Sequence, residues 1–501
     1  MIETLLSFFA TAERTQQRPW PRYRLDRAGW QALADKLAGT DWTLLGLWAE
    51  PAEVHAALMD EAAREIAVAS LPCPDRRFLS LSPARPSAQR LERAAQDLFG
   101  LAAEGLSDTR PWLDHGQWRR PALGDGARAT RPASAYDFLP VLGESLHQIP
   151  VGPVHASIIE PGHFRFHCSG ETVVRLEERL GYVHKGTETL MAGKTPAEAA
   201  RLAARRSGDA TVAHSLAFAR AVEAALGIEA PPRAVWLRAL LAELERIANH
   251  IGDVGAICND ASFILMQAQC TALREKVLRA AAQCFGHRLM MDRVVPGGVA
   301  RDLDEVGMAR LRELTAEITH RWPELHRIYD ERPSLLDRTV TTGVARPELV
   351  RRFGAGGHVG RASGRGIDAR RLPGYPPYDA LDFEVPVLTD GDVHSRVLVR
   401  FREVTASLGL ISQILDRLPA GEIAVPVPAQ AGEGLALVES FRGDVLSWVR
   451  LDDAGRIVRA HARDPSWFQW PLLEAAIEGN IVADFPLCNK SFNCSYSGHD
   501  L

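Results

Sequence analysis

The sequence predicts an α+β chain, with an N-terminal α/β domain followed by a mainly helical domain that ends near a β-hairpin. Three observations carry this. Helical and strand-like segments alternate through the first hundred residues. Apolar residues then recur at spacings of three and four, the period of an amphipathic helix. Late in the chain, DVLSWVRL, DDAG and RIVRAHAR read as strand, turn and strand.

In residues 1–110, DRAGWQALADKLA has helical spacing, and REIAVASLP and RRFLSLSP are short and strand-like. SAQRLERAAQDLFG is helical and stops at Gly100. From 111 to 150 the chain turns irregular around GDGARATRPASAYDF, punctuation that marks a linker or a surface strap. Residues 151–501 form the second unit. Thr195-Pro196-Ala197-Glu198 starts a helix, with threonine as cap, proline at the first position and glutamate closing a capping box. That helix should end near Ser207-Gly208, and a second should run from Asp209 to Gly227, ahead of Pro231 and Pro232. In the third, Leu237, Leu240, Leu241, Leu244, Ile247, Ala248, Ile251 and Val254 form an apolar stripe. ILMQAQCTALREKVLRAAAQCFGHRLM is apolar around much of its circumference and is expected at the centre. Long helices also fit 302–330 and 391–418.

Composition narrows the function. A formal net charge of -5 speaks against a dedicated nucleic-acid binder. No apolar run of about 18 residues occurs, so no transmembrane helix is expected. MIETLLSFFATAERTQQ lacks a basic n-region and carries Glu3, so a cytoplasmic chain is expected rather than a secreted one. Seven cysteines (73, 168, 258, 270, 284, 488 and 494) include no CxxC pair, and an odd count in such a chain argues for structural thiols. The Gly/Pro-rich GRGIDARRLPGYPPYDAL lacks the strand–turn–helix setting of a nucleotide-binding motif. With no P-loop, GxSxG or HExxH, a hydrolase or kinase has no support.

Four segments can carry chemistry. GPVHASIIEPGHFRFHCSGE holds His155, His163 and His167, which either face solvent on edge strands or deliver imidazoles to a cleft. In LGYVHKGTE, Gly181 and Gly186 flank Tyr182, His184 and Lys185 in a tight turn. Arg205 to His214 places two arginines, a Ser-Gly turn, an aspartate and a histidine at a helix N-terminus, which either attracts an anion or is capped by its own Asp or Ser. In the tail, FPLCNKSFNCSYSGHDL, spaced Phe485, Leu487, Phe492 and Tyr496 point to burial.

Taken together, GPVHASIIEPGHFRF, LGYVHKGTE, RVVPGGV, VESFRGDVLSWVRLDD and the serine-rich tail resemble the large subunit of membrane-bound nickel–iron hydrogenases of the formate hydrogenlyase type. They equally resemble its relative, the quinone-site subunit of respiratory complex I (NADH–quinone oxidoreductase). LERAAQDLFG resembles the small complex I subunit that precedes it, and the hydrogenlyase enzymes fuse the two in this order. The resemblance implies a helical large-subunit domain with small β-sheets. It also implies a partner small subunit carrying a 4Fe–4S cluster, antiporter-like membrane subunits, and a place on the cytoplasmic face of the inner membrane.

The ligand positions depart from the family. The hydrogenase pattern R-x-C-G-x-C reads Arg205-Arg206-Ser207-Gly208-Asp209-Ala210 here, and D-P-C-x-x-C falls on Asn493-Cys494-Ser495 through Gly498. Ser207, Ala210, Ser495 and Gly498 thus stand where four thiolates would hold nickel and iron, and no hydroxyl, methyl or hydrogen replaces a soft thiolate. No nickel–iron centre is expected. The quinone contacts of complex I, a histidine and a tyrosine, fall on Ile159 and Gly208. The resemblance therefore implies a subunit of a metal-free, complex I-like oxidoreductase that passes electrons to an acceptor, with a quinone as the candidate, coupled to ion translocation. The alternative is a catalytically silent scaffold. His155 and His163 are candidates for proton delivery, Arg205 for holding a polar acceptor, and His214 and Asp500 for places beside the cavity.

Overall fold

The computed structural model describes residues 3–114, 118, 123, 136–156 and 159–501; the middle of the expected 111–150 strap, including ATRPAS, lies outside the described residues. The chain opens with helix α1 (Leu5–Phe8) and strands β1 (Glu13–Arg14) and β2 (Arg22–Arg24). Helix α2 (Arg27–Gly39) follows, capped by the Asp26 carboxylate on the Gly29 N–H. Strands β3 (Thr43–Glu50), β4 (Glu53–Asp60) and β5 (Glu65–Pro72) complete a sheet of order β1-β2-β5-β4-β3, antiparallel except where β2 meets β5. The expected RRFLSLSP strand is only β6 (Arg77–Leu79), which pairs in parallel with β7 (Ala102–Glu104) across helix α3 (Ala88–Phe99).

Both faces of β3, β4 and β5 are buried, and the side chains of β4 and β5 divide with the period of two that a pleated strand imposes. Leu45, Trp48, Ala57, Met59, Ile66 and Val68 join the core of the helical domain. Leu44, Leu47, Val54, Leu58 and Leu71 pack beneath α1, α2 and α3 in a second core, which also takes in the C-terminal tail.

In the second unit β8 (Leu146–Val151), β9 (His163–Ser169) and β10 (Thr172–Arg179) form a meander. Short α4 (Thr187–Met191) precedes α5 (Pro196–Ala203), where the Thr195–Glu198 capping box is present. A 3-10 turn, Gly208–Ala210, leads into α6 (Thr211–Leu226), which stops at Gly227 in the left-handed conformation. Helix α7 (Pro232–Asp260) packs against α8 (Ile264–Phe285) and α13 (Val393–Arg417), and α9 (Glu305–Asp330) lies on α8 and α13. Between them come the hairpin β11 (Val294–Val295) and β12 (Gly298–Val299) and three short helices, α10 (Pro333–Thr339), α11 (Pro347–Phe353) and α12 (Gly357–Ala362).

The structure corrects one expectation: α8 is not central. Ile264 is 72% exposed, and only the face bearing Met266, Cys270, Leu273, Val277 and Ala281 is buried. Helix α7 takes that place, covered along nearly its whole length by α8, α13 and the 207–210 turn. The predicted hairpin is β14 (Gly443–Leu451) and β15 (Ile457–Arg463), joined by β13 (Gly432–Ser440) on the other edge of β14. Helix α6 lies across β13 and β14. Helix α14 (Ser466–Ala476), α15 (Phe485–Phe492) and α16 (Tyr496–Asp500) then bring the tail back against α7 and β10. No described helix is long and apolar enough to cross a membrane.

Candidate functional site

The 207–210 turn and the tail meet. The Ser207 and Ser495 hydroxyl oxygens, 288 positions apart in sequence, lie 2.9 Å from each other. Ser207 donates to Asp209 Oδ1 at 2.8 Å, and Ser495 Oγ accepts the Gly498 N–H at 2.9 Å, so the shared proton comes from Ser495. Arg442, in the tight turn between β13 and β14, locks the pair from behind. It donates to both carboxylate oxygens of Asp209, and its Nε donates to the Asn493 carbonyl. Burial alone would raise the Asp209 carboxyl; Arg442 and the Ser207 hydroxyl outweigh it and hold the group below its ordinary value.

A cavity of about 430 Å³ opens beside this knot, within the range of small-ligand pockets. Ile159, Glu160, Ser207, Gly208, Asp260 and Arg442 line one part of it, and the tail from Pro486 to Ser497 supplies the rest. No atom lies within 4 Å of where a Gly208 side chain would begin, so that position faces open space. Burial raises the Asp260 carboxyl, and nearby Lys490 opposes that rise.

The α6 N-terminus is met not by its own Asp or Ser but by a carboxyl group from α7. Glu245 of α7 accepts the N–H groups of Val212 and Ala213 at 2.7 and 3.1 Å, a carboxylate where the helix dipole favours one. Its burial still pushes the carboxyl up to about 8.

The residues singled out in the sequence disperse. His155 binds the Gly162 carbonyl at 2.7 Å and His163 the Gly152 carbonyl at 3.1 Å, bracing the loop between β8 and β9 rather than lining the cavity. Burial lowers the His163 pKa. Arg205 is turned outward and paired with both oxygens of Asp292 at 2.7 and 2.8 Å. His214 lies just behind the knot, with Nε2 2.9 Å from Asp464 Oδ2. Asp500 accepts the Val183 N–H at 3.0 Å and meets His499 at 2.9 Å, tying the tail to the LGYVHKGTE loop. Arg442, Asp260, Asn489, Lys490 and Tyr496 also line the cavity; Tyr496 was read from the sequence only as a buried tail residue, Asn489 and Lys490 lie in the same quoted tail, Arg442 lies in the ESFRGD segment, and Asp260 had no signal.

The donors present do not fit a nickel–iron centre. Ser207 and Ser495 are hydrogen-bonded hydroxyls and Ala210 offers a buried methyl. At Gly498 a side chain would begin only 2.7 Å from Asp464 Oδ2, so no cysteine fits without displacing that carboxylate. Cys494 alone among the cysteines lines the cavity, and burial raises its thiol far above the range in which thiolate forms. A separate cluster, Glu50, Glu53 and His55, is no freer: Arg450 and Arg22 neutralise its carboxylates and Ser70 takes His55 Nδ1.

A helical bundle whose 207–210 turn and tail close on one cavity, joined to an α/β domain, defines a hydrogenase and complex I large subunit with its small neighbour attached. The chain belongs to that family: it matches the respiratory-chain NADH dehydrogenase 49 Kd subunit over 260–430 and 424–500, the nickel-dependent hydrogenases over 185–252, and the respiratory-chain NADH dehydrogenase 30 Kd subunit over 25–129. It is 33% identical to formate hydrogenlyase subunit 5 of Escherichia coli K12, over 84% of this chain and 77% of that one. It is 34% identical to an NADH-quinone oxidoreductase subunit of Roseiflexus sp. RS-1, over 67% of this chain and 94% of that one. Among solved structures, a chain of the membrane-bound sulfane sulfur reductase, an archaeal respiratory membrane complex, matches with a TM-score of 0.68 and 26% identity, over 72% of this chain and all of that one.

Two outcomes follow from the knot. Asp209→Ala leaves the Arg442 guanidinium buried without its carboxylate and should cost about 3 kcal/mol, with faster amide exchange in 485–501 than in α7. Burial pushes the Asp464 carboxyl up, but His214 and then Arg442 outweigh it, so the folded group titrates below the unfolded one. Its contribution is complete above about pH 4 and is lost as pH falls through the folded value. The gap in urea stability between wild type and Asp464→Asn should therefore narrow from pH 5 to pH 2.

Proposed function

We propose that this chain is the large subunit of a complex I-like, hydrogenase-derived membrane oxidoreductase that works without a nickel–iron centre. Electrons arrive from a 4Fe–4S cluster in a small partner protein and pass to an acceptor, a quinone, in the cavity between the 207–210 turn and the tail. Antiporter-like membrane subunits couple the transfer to ion movement, and the chain sits peripherally on the cytoplasmic face of the membrane. One observation carries the reading: the thiolate positions are closed by hydroxyls bonded to each other, while the space in front of Gly208 stays open.

The chain's own groups suit proton-coupled chemistry. Asp260, raised by burial, keeps its proton to higher pH than a free carboxyl, at the cavity wall. The loop braced by His155 and His163 carries Ile159 and Glu160, so those histidines act on the cavity through the loop's position.

The second reading, a silent scaffold, draws on the absence of the complex I headgroup pair, since Ile159 and Gly208 offer neither imidazole nor phenol.

The purified complex should contain no stoichiometric nickel by elemental analysis; one nickel per chain overturns the proposal. Gly208→Trp should plug the cavity without disturbing its walls. It should lower kcat/KM for quinone by at least about tenfold, the worth of roughly 1.4 kcal/mol, with an unchanged melting temperature. Full activity in that variant favours the scaffold.

A further inference from the structure

One side chain of the cavity is held with more care than the rest of the tail. Tyr496 opens α16, which is capped by the Ser495 hydroxyl on the Gly498 N–H. The Trp470 ring meets the Tyr496 ring edge-on at 4.9 Å, with Phe164 at 6.4 Å. On another side the backbone of the loop between β8 and β9 presses against it: a β-carbon on Gly162 would lie 2.6 Å from Tyr496 Cε1. Glycine at 162 thus makes room for this ring, and the neighbouring Glu160 accepts the Ser497 N–H at 3.0 Å. Three separate elements fix the position of one phenol.

Apart from the neighbouring Asn489 carboxamide, which can donate to its oxygen, that phenol finds no partner among the described residues, and its own O–H has no acceptor although it is buried. Buried polar groups in native proteins are almost always satisfied, and one that the fold holds rigidly yet leaves unmet marks a place for something outside the chain. The Asn489 carboxamide stands beside it. Both residues line the cavity, as does Gly208, where the complex I tyrosine is missing.

We infer that the Tyr496 hydroxyl, together with the Asn489 carboxamide, is the hydrogen-bond donor pair that holds a carbonyl oxygen of a quinone ring in this cavity. The inference rests on the reading of the cavity given above and locates its headgroup site. A phenol and a primary amide both present N–H or O–H donors to a carbonyl lone pair, which is what a neutral quinone offers. The headgroup hydroxyl has in effect moved from the start of the ligand turn to the tail, on the opposite wall. Burial raises the Tyr496 phenol, so it stays protonated and able to donate near neutral pH.

The test uses the purified complex, with equilibrium binding and steady-state reduction of decylubiquinone and of menadione, a headgroup without a long tail. Tyr496→Phe keeps the ring in place and removes only the hydroxyl. It should weaken binding of both probes by about tenfold and raise KM more than it lowers kcat. Its melting temperature should stay within about two degrees of wild type, since the only protein partner lost is the Asn489 amide. Asn489→Leu should weaken both probes in the same direction. If Tyr496→Phe binds both probes as wild type does, or melts several degrees lower with binding intact, the phenol is structural and the inference fails while the wider reading stands. If wild-type complex neither binds nor reduces either probe, the wider reading fails and takes this one with it.

Discussion

The guanidinium of Arg442 holds the two walls of the cavity in one piece. Taking an arginine out of water is expensive, and a single carboxylate rarely recovers the cost unless the geometry is bidentate and the remaining donors are used. Here both conditions are met: Asp209 takes two donors and the Asn493 carbonyl a third. The Ser207–Ser495 contact adds a single neutral hydrogen bond, and Lys185 spans the same gap by donating to the Arg205 and Arg206 carbonyls and, through its backbone, to Leu501. The glycines around the arginine are part of the same device. Gly357 of α12 lies so close to the Arg442 carbonyl that no β-carbon fits between them.

Around this knot the interior is unusually ionic. Glu403 of α13 meets Arg361 at 2.7 Å, His250 at 2.7 Å and Arg246 at 3.4 Å, all buried. Arg370 joins Asp368 to Glu243 of α7, and Arg400 joins α13 to Asp253. Such pairs add little net stability over a well-packed apolar core, but each has few alternative partners, so they fix which surfaces meet. Helices α7 and α13 are thereby set against each other at the depth where the tail docks. Asp209 of the cavity wall is answered by Arg442, and Asp464 behind it is hydrogen-bonded to His214.

What the sequence disclosed was local. The Thr195–Glu198 box, the stops at Gly100 and Gly227 and the β14–β15 hairpin depend on neighbours within a few residues, and each lies where the spacing put it. Strand β13 escapes the sequence pattern because GEGLALVES begins with glycines that weaken its alternation. Helix α8 reads as more buried than it is because alanines and cysteines around its circumference count as apolar without having to be covered. At the site, the two segments that meet, the 207–210 turn and the tail, were legible because they sit in short ordered motifs. The partners were not: Glu245 reaches the α6 N-terminus from 33 positions away, and Arg442 reaches Asp209 from 233. Arg205 and Arg442 are both arginines in family-like segments, and only folding reveals that one faces Asp292 and the other the cavity.

The buried N-terminal sheet bears on assembly. Strand β3 is gripped by the late β-sheet: Arg463 donates to the Leu45 carbonyl at 2.7 Å, Arg450 pairs with Glu50 at 2.8 Å, and the Trp48 ring stacks on His461 at 5.5 Å. Because one polypeptide supplies both sides, this joint forms at a local concentration fixed by the connecting chain and is indifferent to dilution. The two units cannot drift out of equal numbers, and neither has a finished surface to present alone. Separating the two units would bare the sheet face that carries Leu45, Trp48, Met59, Ile66 and Val68, so the linkage serves solubility as much as order.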